Sequence, residues 1–240
     1  RTRTYTIAME RTVVPENFSF RMTDEEYRVL EKIKNSIPVC YLADHADFAL
    51  GIVTGNNKKF LSAEKTENSE MVLKGTDICK YHINPVKQYL RFEPEQFQQV
   101  APLEIYRAPE KLLYRFISNQ LVVAYDDRQM LSLNSCNIVI PKIDGMQIKY
   151  ILAILNSSVS QFVYQKEFHS IKVLRAHMEH IPIPRVGKAI QNEIIAMTEP
   201  LICGMGKEAA ETCQKRLDCR IMDLFRLSAE EQWIIRHALH

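Results

Sequence analysis

Glycine is scarce in this chain. There are seven in 240 residues, and two of them, Gly51 and Gly55, fall in one decapeptide. The shortage excludes glycine-rich phosphate loops. The only G-x-G is Gly204-Met205-Gly206, which interrupts a helical pattern instead of following a strand, and there is no P-loop. G-x-S-x-G and H-E-x-x-H are absent as well. No Asp or Glu is followed two residues later by Lys, so a paired-carboxylate nuclease signature lacks its second half. The single Asn-Pro, Asn84-Pro85, is followed by Val86 and so begins no Asn-Pro-Pro-aromatic tetrapeptide. An excess of one charge is missing too: the net charge is +2 and the pI about 8.2, so any nucleic-acid surface must come from local clustering. The six cysteines (40, 79, 136, 203, 213 and 219) form no C-x-x-C pair and follow no secretory signal, so free thiols in a reducing cytoplasm are expected. The most apolar run, Ile148 to Tyr164, is broken by Lys149, Asn156, Ser157 and Ser158, too polar and short for a membrane span.

Metal and catalytic candidates are weak. His177-x-x-His180 with His169 nearby has no cysteine or second carboxylate at a zinc spacing, and reads as surface or structural histidine. Cys79-x-x-His82 is equally isolated. Asp126-Asp127 has the chemistry for a hard cation, but a turn uses such residues without one. The expectation is therefore no catalytic, cofactor-binding or metal site in these residues.

What is present is an ordinary globular composition, 46% hydrophobic and 25% charged, long enough to bury a sizeable core. The pattern predicts an α+β chain: a mostly antiparallel β-rich body with packed helices, then a helical C-terminal segment. Residues 1–39 read as a linker and one helix, 40–185 as the body and 186–240 as the helical segment. Thr23 and Glu26 form a capping box ahead of Tyr27, Leu30, Ile33 and Ile37 at helical spacing, ending at Pro38. The decapeptide Gly51–Phe60, GIVTGNNKKF, reads as strand, tight turn, strand, because Gly and Asn tolerate the positive φ of a hairpin turn. Met71–Tyr81 repeats the strand-and-turn pattern around Gly75, and Pro94–Pro102 is a helical turn or two. Lys111–Ser118, Leu121–Asp127 and Met130–Pro141 read as an antiparallel meander with turns at Asn119-Gln120 and Asp126–Arg128. Ile148–Lys166 is one helix by period, Ile171–Pro184 is extended, and the helices beyond Val186 break at Pro200 and at Gly204–Gly206. Ser228 and Glu231 make a second capping box.

Taken in order, these pieces resemble the TaqI-like specificity domain, the target-recognition region that follows the methyltransferase domain in adenine-N6 DNA methyltransferases and in type IIG restriction–modification enzymes. GIVTGNNKKF is similar to that family's entry hairpin and LKGTDICKY to its "GxDI…Y" segment. APEKLLYRFIS, LVVAYDD and LNSCNIVIP resemble its central strands, and ILAILNSSVSQFVYQ its "LLAxLNS" helix. KVLRAHMEHIPIP resembles its closing segment and RLDCRIMDLFRLSAEEQWII its helical ending, with Phe225-Arg226-Leu227 in place of Tyr-Gly-Leu. The resemblance covers roughly residues 40–235. It implies sequence-specific recognition of double-stranded DNA, within a longer parent that methylates adenine with S-adenosylmethionine and uses Mg if it also carries a nuclease. Arg1 is not preceded by Met, and the expectation is that the methyltransferase half lies N-terminal to it.

A recognition domain must hold phosphates, through lysine, arginine and amide donors, and read base edges, for which Asn suits adenine and Arg or Lys guanine. The resulting candidates are the loop tip Thr54, Asn56, Asn57, Lys58 and Lys59, with Lys74, Arg107, Lys111, Arg115, Arg128, Lys172 and Arg175. Arg115 has a second reading, as a strand residue paired with Asp126 or Asp127. The Asn-Ser-Ser of the LNSSVS helix is expected to face neighbouring backbone. The rival reading is a protein-interaction scaffold of a restriction or phage-defence complex, supported by the low net charge and the apolar helical tail.

Overall fold

The computed structural model describes residues 22–168 and 170–239; the reading of residues 1–22 as a linker, apart from the buried Met22, and that of His169, lie outside them. The first helix, α1 (Asp24–Asn35), starts at the expected capping box: Thr23 accepts from the Glu26 amide and Glu26 reaches back to the Thr23 amide. Acidic side chains fill its first turn and lysines its last, each complementing the helix dipole.

Two sheets follow. Strands β2 (Ala46–Ala49), β6 (Lys111–Arg115), β7 (Val123–Asp126) and β9 (Cys136–Pro141) form an antiparallel sheet in the order β2-β9-β6-β7. Strands β3 (Leu61–Ser62), β4 (Ser69–Leu73), β5 (Tyr89–Arg91) and β8 (Leu131–Ser132) form a second, in the order β3-β5-β4-β8, with β4 and β8 parallel. The predicted meander is thus corrected. β6 and β7 pair across the Asn119-Gln120 turn, but β9 pairs with β6, and β8 crosses to the other sheet. Alternation explains the geometry, since successive side chains point to opposite faces. Leu112, Tyr114, Val123, Tyr125 and Val139 face a helical core, while Leu113, Ala124, Ile138 and Cys136 face the second sheet. A sheet covered on both faces reads as continuous apolar runs, as Leu112–Tyr114 does.

The helical core is built from α1, α4 (Ile148–Asn156), α5 (Ser158–Glu167), α7 (Lys188–Cys203), α8 (Lys207–Leu224) and α9 (Ala229–Ala238). The single helix predicted over Ile148–Lys166 is two. Ser157 adopts extended backbone (φ −69°, ψ 159°), ends α4, and caps α5 by accepting from the Ser160 amide. The cause lies at Asn156. Its side chain accepts from the Val123 amide at 3.1 Å and donates to the Val123 carbonyl at 2.8 Å, satisfying backbone groups of β7. Ser158 is held by Asp218 of α8 through its amide and hydroxyl, both at 2.8 Å. The Asn-Ser-Ser therefore meets neighbouring backbone at Asn156, as expected, and a carboxylate at Ser158. Pro200 does not break α7, which continues to Cys203 and ends at Gly204 (φ +80°). Within the segment read as extended, α6 (Arg175–Glu179) is a helical turn, and β10 (Ile183–Pro184) pairs with β1 (Val39–Cys40). Among the described residues no helix is long and apolar enough to cross a membrane.

Candidate nucleic-acid interface

The decapeptide Gly51–Phe60 does not form the predicted hairpin. Ile52 makes a single parallel bridge to Leu133 and Val53 an antiparallel one to Gln99. Gly55 (φ +74°) turns the chain, and Asn56 caps a one-turn helix, α2 (Asn57–Phe60). Two contacts explain the change. The Asn56 side chain accepts from the Lys59 amide at 3.2 Å, and Phe60 turns inward to pack edge-on against Phe97 at 5.1 Å. Leu61 then pairs with Leu90 instead of returning onto Ile52–Thr54. Gly51 is required by close approach: a Cβ there would stand 2.1 Å from the Leu133 carbonyl oxygen. Thr54 is buried, its hydroxyl donating to Asn57 Oδ1 at 2.6 Å, so it braces the tip and presents nothing to solvent. Asn56, Asn57, Lys58 and Lys59 are exposed, with the Lys59 ammonium on Gln96 Oε1 at 2.6 Å and 4.9 Å from the Phe60 ring centroid.

Lys111 must be removed from any surface. It is fully buried, with its ammonium 2.5 Å from Asp126 Oδ2 and 2.6 Å from the Tyr106 carbonyl at the end of α3 (Leu103–Tyr106). Burial pulls its pKa down, while the Asp126 carboxylate opposes that pull. Asp126 also accepts from the amides of Arg128 and Met130, so the Asp126–Arg128 turn needs no cation from solution to hold its shape. Arg128 is exposed on this turn. Arg107 bonds Glu70 at 2.6 Å and the Gln129 carbonyl at 2.8 Å, which places it beside the same turn with its charge compensated.

A third neighbourhood brings Lys74 and Arg115 together, with Lys172 adjoining. Lys74 is exposed at the end of β4, and Gly75–Asp77 is a single 3₁₀ turn. Arg115, at the end of β6, pairs with neither Asp126 nor Asp127. Its Nε donates to the Gly75 carbonyl at 2.9 Å and its Nη2 to the Ile78 carbonyl at 2.5 Å. The Gly75 amide donates to Ser135 Oγ at 2.9 Å, and a Cβ on Gly75 would stand 2.5 Å from the Ser135 carbonyl oxygen. Lys74, Gly75, Thr76, Arg115, Ile117 and Ser135 line a cavity of about 280 Å³. Ile117 bridges to Lys172, whose ammonium lies 5.8 Å from the Phe116 ring centroid. Arg175 follows on α6, bonded to Glu179 at 2.7 Å and 5.2 Å from the Phe48 ring centroid. Thr76 and Ser135 were not among the sequence candidates. Thr76 adjoins the glycine already singled out, but nothing local marks Ser135, whose role depends on the β8–β9 crossing between sheets. His177 stacks on Phe168 at 4.4 Å, and no group of three or more His, Cys, Asp or Glu among the described residues is arranged to hold a metal.

The stretch from β4 through β10 contains this cavity and three of the four strands of the β2-β9-β6-β7 sheet, and residues 70–183 match the family described as the TaqI-like C-terminal specificity domain. The fold agrees: the structure of the type IIL restriction–modification enzyme MmeI in complex with DNA superposes with a TM-score of 0.56 at 10% identity, over 83% of this chain and 35% of that one. The HsdS subunit from Thermoanaerobacter tengcongensis matches at a TM-score of 0.45 and 15% identity, over 90% of this chain and 50% of that one. The type IIG restriction endonuclease BpuSI matches at 0.44 and 11% identity, over 85% and 33%. The chain thus spans half or less of each of these solved chains. No curated protein matches the sequence. The matched segment ends at Ile183, the first residue of β10, which pairs with Cys40 of β1.

Proposed function

We propose that this chain reads a specific sequence in double-stranded DNA for a restriction–modification enzyme. The observation that carries the proposal is the match of residues 70–183 to the specificity-domain family. Several exposed candidate cations without a carboxylate partner among the described residues support it: Lys58, Lys59, Lys74 and Arg128, with Lys172 beside Ile117. Phosphate contacts of this kind position a protein on DNA and make its affinity fall with salt, whereas base-edge contacts supply the sequence preference. At the α2 tip both Asn oxygens are used within the loop, Asn56 by the Lys59 amide and Asn57 by the Thr54 hydroxyl. Their NH₂ groups remain as donors toward acceptors on a base edge.

The parent enzyme in this proposal is an adenine-N6 methyltransferase working in the cytoplasm, with or without cleavage. Its methyltransferase domain partners this one in the same chain. S-adenosylmethionine supplies the methyl group there, and Mg serves a nuclease if one is present; none of the residues described here is assigned to either. The enzyme acts on an adenine taken out of the stack while this domain holds the duplex.

The test is duplex binding by the intact enzyme across a salt series. Lys58→Ala with Lys59→Ala weakens binding to all sequences and lowers the salt slope by about one for each lost phosphate contact. An unchanged slope removes these lysines from the interface. Asn56→Ala or Asn57→Ala relaxes sequence preference more than it lowers affinity, and an unaltered preference removes the base-reading role.

A further inference from the structure

The charged groups divide by partner. Arg107 faces Glu70, Lys111 faces Asp126, Arg175 faces Glu179 and Lys142 faces Asp47. Lys74 and Arg115 meet no carboxylate in any ion pair among the described residues, although they line one cavity together. The carboxylate on the same turn, Asp77, is turned to the backbone, where its Oδ2 accepts from the Lys74 amide at 2.9 Å.

We infer that this cavity, between the Lys74–Asp77 turn and Ile117, seats one phosphodiester of the DNA backbone, with Lys74 and Thr76 as the contacts and Arg115 as the residue that fixes the turn. The inference deepens the DNA-reading proposal and rests on it. The chemistry of the lining suits a monoanion: an exposed ammonium from Lys74, a guanidinium held in place by two neutral carbonyls so that its charge is not cancelled, and hydroxyls on Thr76 and Ser135. The lining is also pre-organised. Arg115 grips the carbonyls of Gly75 and Ile78, Ser135 takes the Gly75 amide, and the Asp77 carbonyl accepts from the Asn84 amide at 2.9 Å. A turn fixed at so many points gives up little entropy when it meets a phosphate. Ile117, half exposed at 53%, forms the apolar lip, and Lys172 stands beside it for the neighbouring phosphate.

The experiment uses the full-length protein and a fluorescently labelled random-sequence duplex, together with copies of that duplex each carrying one uncharged methylphosphonate. Lys74→Ala lowers the salt slope by about one. Thr76→Val weakens binding about fivefold, the scale of one hydrogen bond. One methylphosphonate position weakens binding by the wild type and has no further effect on Lys74→Ala. Lys74 is exposed, so circular dichroism and the melting temperature of Lys74→Ala stay at wild-type values. A wild-type slope in Lys74→Ala, or an equal methylphosphonate penalty at every position in both proteins, overturns the seat while leaving DNA recognition standing. Absence of salt-dependent duplex binding by the wild type instead overturns the DNA reading itself, and the seat with it.

Discussion

Lys111 and Arg115 stand at opposite ends of one strand, four residues apart, and differ in what surrounds them. At the Lys111 end the neighbouring strand β7 brings its cross-strand partner Asp126 to 2.5 Å, and the cation disappears into the protein with no exposure. At the Arg115 end the neighbours are the carbonyls of Gly75 and Ile78, and the guanidinium is anchored without being neutralised. Removing two charges from water costs several kcal/mol per ion, recovered only by good pairing. The first cation is therefore matched inside the fold, while the second is left without a carboxylate partner. A basic residue in a strand is available to a ligand only if its tertiary neighbours withhold a carboxylate.

Three substitutions break or sharpen that contrast. Lys111→Ala leaves Asp126 buried and unpaired, so urea unfolding should register a loss of about 3–5 kcal/mol. The salt slope of DNA binding by the folded fraction should not move. A small stability change would show that Asp126 does not depend on Lys111. Gly75→Ala acts at the other end, where a Cβ would stand 2.5 Å from the Ser135 carbonyl oxygen, and the turn must shift. The stability cost is about 1–3 kcal/mol, the scale of overpacking. Here DNA affinity should fall along with stability, because the turn carries Lys74 and Thr76. Retained affinity would separate the turn from the interface. Arg107→Ala gives the smallest effect. Its partner Glu70 is exposed, and such pairs are worth about 0–1 kcal/mol. With its charge already matched, the salt slope should stay at the wild-type value, and a fall of about one would place Arg107 on DNA.

Elements marked by local rules were legible in the sequence. The capping boxes at Thr23 and Ser228, the strands β6 and β7, and the turn at Gly75 appear where side-chain pattern and cap chemistry put them. The failures share one cause, which is a partner remote in sequence. The Gly51–Phe60 hairpin became a helical turn because Phe60 packs on Phe97 and Leu61 pairs with Leu90. The long helix divided at Ser157 because Asn156 bonds Val123 and Ser158 bonds Asp218. Among the site candidates, Thr54 and Lys111 were lost to burial, and Ser135 was gained from a crossing that no local pattern announces.

By itself, then, the sequence determined the class of the chain, its helix starts, its apolar strands and the family likeness of its ordered segments, because periodicity and capping act over a few residues. Only the tertiary structure decided which cations are free. That choice depends on carboxylates and carbonyls brought from distant segments, as Asp126 is to Lys111 and Gly75 to Arg115, and Coulomb and desolvation energies respond to distance in space, whatever the separation along the chain.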